Sequence, residues 1–150
     1  MASQFMQNGL VHFIGAGTWG SDTVKMGLLK NTYTPDPDHG TISAVSANEC
    51  DATGYTGGFG GAGRKTLSSP TITVDNTNNR AVFDSADPAT WTSLGGATNN
   101  TLRHAFVAKE VTNDASSPLL CTLDMGADKL TNGGDFTVQI AAAGIGYIQC

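Results

Sequence analysis

The chain carries little charge, and little of that is positive. It has eight Lys and Arg against thirteen Asp and Glu, 14% charged residues and a formal net charge of -5. The basic residues are scattered, which argues against a nucleic-acid binder, because phosphate contacts need clustered Lys and Arg. No run approaches the roughly 18 apolar residues that suggest a membrane-spanning helix. The N-terminus also lacks the basic start and small-residue cleavage site of a signal peptide. The expectation is a protein made in the cytoplasm and used without export. Three cysteines, Cys50, Cys121 and Cys150, are odd in number and far apart. With no CxxC and no Cys/His pairing, neither a zinc site nor a disulfide framework is expected. Cys121 falls in an apolar strand pattern and reads as a small core residue. The histidines, His12, His39 and His104, are isolated from one another, so no spacing presents two imidazoles together.

Glycine is abundant, at 19 residues, and Thr, Asn and Ser are plentiful, a composition suited to short strands joined by many turns. At 150 residues the length fits one domain able to bury roughly two-thirds of its unfolded surface. Residues 23–55 begin as a strand, since Val24, Met26 and Leu28 alternate with Lys25 and Gly27, and stop hard at Pro35 and Pro37. Upstream, Phe5, Met6, Leu10, Phe13 and Ile14 gather on one side of a short helix over residues 3–14, although residues 10–14 also suit a strand. Ile42 and Val45 share a side of a helical turn within 41–49.

Alternation then marks strands near 70–74 and 80–84, a hairpin with a loose loop, and near 90–94, with Trp91 at an edge of the core. Residues 102–111 are apolar on both faces, which suits a central strand. Leu119, Cys121, Leu123 and Met125 mark another strand, Phe136, Val138 and Ile140 the next, and 144–148 the last. About eight strands at short spacing predict a mainly β fold, a β-sandwich or jelly-roll-like barrel with one or two short helices. The division is an N-terminal arm or short helix over 1–22 and a β-sandwich domain over 23–150.

Two glycine patterns imitate nucleotide sites. Gly15, Gly17 and Gly20 form a G-x-G-x-x-G after an apolar run, the turn that lets a backbone approach a pyrophosphate at a helix N-terminus. Strand-like alternation follows instead of a helix, and the prolines fall where the second strand of a βαβ unit belongs, so a small nucleotide-binding enzyme is the weaker alternative. In residues 57–63 the position a P-loop gives to Lys holds Arg64, and a flexible surface loop is the plainer reading. Asp36, Asp38 and His39 are the densest ligand-like group, but too few donors for a calcium loop, and read as a rigid polar turn. No G-x-S-x-G is present. No catalytic residue, cofactor or metal site is assigned.

Particular words of the sequence carry more. Trp19, Asp22 to Lys25, Leu28-Leu29, the run Tyr33-Thr34-Pro35-Asp36-Pro37-Asp38-His39, Asn48-Glu49 and Gly54-Tyr55 resemble a family of tailed-phage virion proteins encoded near the major capsid gene. Lys65-Thr66-Leu67, Ala81 to Asp84, Trp91-Thr92, Ser117 to Leu120 and Asn132 to Phe136 continue the likeness in order, from about Trp19 to Ile140. Residues 57–63 look like an elaboration of the family's shorter link. The resemblance implies a non-enzymatic capsid decoration, or cement, protein on the head of a bacteriophage virion, or alternatively a tail or head-fibre component. It further implies the major capsid protein as partner and a homo-oligomer, with a trimer favoured over a dimer by closed symmetry at the shell's local threefolds. Phe5, Met6 and Phe13 are the candidate partner contacts. Core packing is their plainer alternative.

Overall fold

Residues 101–109, apolar on both faces, form the central strand of the largest sheet. The computed structural model describes residues 2–6 and 18–149. Over these the elements are β1 (Ala2–Phe5), α1 (Thr18–Ser21), β2 (Val24–Lys30), β3 (Lys65–Thr66), β4 (Thr71–Asp75), β5 (Arg80–Asp84), β6 (Trp91–Leu94), β7 (Thr101–Lys109), β8 (Leu119–Leu130), β9 (Gly134–Phe136) and β10 (Gly146–Gln149). Two 3-10 turns, Ile42–Ala44 and Ser46–Asn48, lie between β2 and β3. The fold is mainly β and sandwich-like, built from three antiparallel sheets ordered β1-β8-β7-β2-β3, β10-β5-β4 and β6-β9. Among the described residues each sheet has a linear strand order.

The five-stranded sheet is covered on both faces. Val24, Met26, Leu28, Ala105, Val107, Cys121 and Leu123 pack toward the two smaller sheets, meeting Phe83, Trp91, Leu94 and Val138. On the reverse face Leu29, Phe106, Ala108 and Leu119 meet Met6, Tyr33, Ile42 and Val45, supplied by β1's end and the segment after β2. A strand buried on both sides has no room for polar alternation, which is why β7 is nearly continuous in apolar residues.

A bulge reconciles β8 with both faces. Ala108 pairs with Leu119, but the next residue of β7, Val107, pairs with Cys121, leaving Leu120 as the extra residue. One inserted residue reverses the side to which the strand's alternate residues point. Leu119 therefore faces the second cluster, whereas Cys121 and Leu123 face the first.

Several expectations need correction. Residues 3–5 are strand, since β1 pairs antiparallel with β8 and the Met6 amide donates to the Leu120 carbonyl at 3.1 Å. Edge pairing and a buried Met6 outweigh the helical spacing of apolar residues. Residues 2–6 thus belong to the main sheet; residues 10–14 lie outside the described residues. Trp91 is not at a core edge. It is buried, with its indole N–H donated to the Gly63 carbonyl at 2.6 Å. The strand read at 136–140 ends at Phe136; Val138 is still buried, and the Ile140 backbone amide donates a hydrogen bond to Asp87 Oδ1 at 2.7 Å. The hairpin of β4 and β5 and the turns at 41–49, with Ile42 and Val45 both buried, follow the sequence reading.

Candidate functional site: a buried arginine at a loop junction

The least expected feature of the molecule begins with a glycine. Gly27 lies directly opposite Phe106 in the β2–β7 register, and a Cβ there would collide with the Phe106 ring. Its absence lets the ring lie flat over β2. The Arg64 guanidinium stands 5.5 Å above that ring, with a side chain wholly removed from solvent.

All five N–H donors of Arg64 are used. Nε and Nη2 donate to the two oxygens of Glu49 at 2.8 and 2.7 Å. Nη1 and Nη2 donate to the two oxygens of Asp114 at 2.6 and 3.0 Å. The remaining Nη1 bond goes to Glu110 Oε1 at 2.9 Å. The other Glu110 oxygen accepts from Lys25 Nζ at 2.6 Å. Glu49 also accepts the Tyr55 hydroxyl at 2.9 Å and the Gly58 amide at 3.1 Å. Glu49 and Glu110 are the only glutamates in the chain, and both converge on one arginine. Bidentate carboxylate–guanidinium pairs of this kind fix geometry as well as charge.

The electrostatics follow from burial. Desolvation alone would lower the Arg64 pKa, but the bonds to Glu49 and Asp114, with Glu110, outweigh it and hold the group charged. Desolvation would raise Glu110, yet Lys25 and Arg64 hold its carboxyl below the usual range. The Tyr55 phenol is pushed well above its ordinary value by burial and by the charge of Glu49. Removing one partner from a buried network of this type costs about 3–5 kcal/mol, because the remaining charges stay buried.

The knot joins segments that are distant in the chain. Glu49 follows the 3-10 turns and bridges to Leu29; Arg64 ends the glycine-rich loop and precedes β3; Glu110 follows β7; Asp114 sits in the loop before β8, where its carbonyl accepts the Ser43 amide at 3.1 Å. Residues 57–63 are consequently not a free surface loop. The Gly61 amide donates to Gly58, and the Gly63 amide to Thr56, at 3.0 and 2.9 Å. A Cβ on Gly61 would strike the Thr56 and Gly57 carbonyls, and one on Gly63 would come within 2.7 Å of the Tyr55 ring. Glycine here permits close approach rather than freedom. Two large apolar side chains stand outward beside the knot: Phe59, next to Gly58, is 47% exposed, and Val111, next to Glu110, is 50% exposed.

The other sequence candidates separate. Met6 is fully buried in the second cluster, so its side chain offers nothing to a partner in this fold. Phe5 lies in β1, and Phe13 lies outside the described residues. Asp36 and Asp38 serve the double-proline turn, where Asp36 Oδ1 accepts the Asp38 amide at 2.9 Å. His39 Nδ1 shares a 3.1 Å hydrogen bond with the Tyr33 hydroxyl. Of the first glycine motif only Gly20 is described, inside the four-residue α1; every paired strand is antiparallel, so no βαβ crossover exists among the described residues. Burial raises the thiol of Cys50 to about 11 and that of Cys121 to about 12, which leaves both as unreactive core groups.

Sequence reading missed Arg64's role because its partners lie 15, 46 and 50 residues away. The available signal was the pairing of a scarce charge type with the end of a glycine run. In comparisons with known proteins, no family model, no curated protein and no solved structure matches the chain.

Proposed function

We propose that the chain is a virion structural protein, a capsid decoration protein that binds the outer surface of an assembled bacteriophage head and stabilises it without catalysis. The partner is the major capsid protein, and the decorating unit is a homo-oligomer, with a trimer at local threefolds favoured over a dimer. The observation that carries this reading is the loop junction: Phe59 and Val111 are presented outward on segments that a buried arginine holds rigid. Apolar anchors that are ordered before binding lose little entropy on docking, and a few such residues dominate typical interfaces. The sequence resemblance of residues 19–140 to tailed-phage virion proteins encoded near the major capsid gene suggests the kind of partner.

The described charge distribution supports the same view. Six of the eight basic side chains, Lys25, Lys30, Arg64, Arg80, Arg103 and Lys109, are engaged in ion pairs, leaving little free positive charge for phosphate. Binding across neighbouring shell subunits stabilises the assembled lattice by mass action, with modest contacts adding over many copies. The test is cosedimentation of purified protein with heads that lack it. Phe59→Ser combined with Val111→Ser should weaken binding by about tenfold or more while thermal unfolding stays near wild type. Wild-type binding by the double variant would contradict this docking face.

A further inference from the structure

We propose that the Arg64 knot is an acid-released latch, which holds residues 57–63 at neutral pH and frees them in acid while the sheets stay folded. The geometry favours local release. Six of the tied groups, Glu49, Tyr55, the Gly58 amide, Arg64, Glu110 and Asp114, belong to connecting segments, and only Lys25 lies within a strand of the main sheet. The sheet itself is held by two apolar clusters that contain none of these charges.

The groups facing the guanidinium are Glu49, Glu110 and Asp114, with Lys25 behind Glu110 and the Tyr55 phenol behind Glu49. The Cys50 thiol, raised by burial to about 11, adds no charge. Three carboxylates thus balance two cations. Withdrawal of that counter-charge would leave Arg64 as a buried, unbalanced cation, which favours its exposure to water. The sign follows from Glu110, whose folded pKa is depressed: its stabilising effect is present above the ordinary carboxylate range and is lost as pH falls through the folded value. The loop's remaining ties are neutral, namely the Gly61 and Gly63 backbone bonds and the Trp91 indole bond to the Gly63 carbonyl, so the charged knot is the part of its anchorage that acid addresses. The latch needs no capsid to operate or to be tested.

Amide hydrogen exchange of the full chain at about pH 7 and about pH 3 is the experiment, with rates corrected to those of an unstructured peptide. Protection at Gly58, Gly61 and Gly63 should fall by about tenfold or more in acid, while amides of β7 around Phe106 keep theirs. Glu49→Gln should show low loop protection already at neutral pH. Asp114→Asn, which leaves the Glu49 pair intact, should move the release to higher pH, and it decides the matter if the first variant does not fold. Loop protection unchanged in acid, loop and sheet losing protection together, or wild-type loop behaviour in a folded variant would each overturn the latch.

Discussion

At His104, burial opposes charge. The residue lies on β7 and is only 6% exposed, with its ring edge-on to Tyr33 at 5.6 Å and Nδ1 without a hydrogen-bond partner among the described residues. Desolvation lowers its pKa, with Asp124 acting the other way. A base whose folded pKa is depressed stabilises the fold above its unfolded value, near 6.5, and that contribution is lost as pH falls toward the folded value. Denaturant midpoints should therefore decline below about pH 6.5, and His104→Phe should decline less over the same window. Equal slopes for the two proteins would place the titration elsewhere. Tyr33 also joins His39 to this side of the sheet, through a hydrogen bond on one side and a ring contact with His104 on the other. The 64 residues between the histidines hid that meeting from the sequence. The rigid character of the double-proline turn was legible, because Pro fixes φ and Asp bonds to its own backbone.

Among the elements, β2 and β7 carry the most consequential contact. Gly27 accepts the Phe106 ring where any side chain would collide, and the Tyr55 hydroxyl would lie 2.9 Å from an added Cβ. Gly27→Ala should destabilise the protein by about 1–3 kcal/mol through overpacking. Adding Phe106→Leu should recover part of that loss, read as coupling in a double-mutant cycle of urea unfolding. Additive effects would mean that the ring does not depend on the glycine. Local patterns made β2, the β4–β5 hairpin and the core of β7 legible, since period-2 alternation and turn residues act within a few positions. The limits of β8 and β9 were less so. Leu120 breaks the alternation as a bulge residue set by pairing with β7, and Val138 continues an apolar pattern past the end of β9. Likewise β1 depends on an edge of β8 more than a hundred residues away, a tertiary preference that short-range periodicity does not contain.

For the whole molecule, the two-faced sheet separates support from presentation. Apolar clusters on both faces hold the strands, while Arg64 and its three carboxylates form one junction that ties the β2–β3 connection to the β7–β8 connection. Such a body gives the exposed side chains Phe59 and Val111 a firm base. The mainly β class was legible from composition and strand spacing. The Arg64 junction beside the exposed Phe59 was not, because its bonds to Glu110 and Asp114 are made across the fold. Cryo-electron microscopy of an intact bacteriophage virion carrying this chain tests the proposed capsid role most directly. The account predicts repeated density for this fold on the outer head surface, with the loop junction turned toward the major capsid protein. Density for the fold on the tail, or on the head with Phe59 and Val111 turned to solvent, would contradict it.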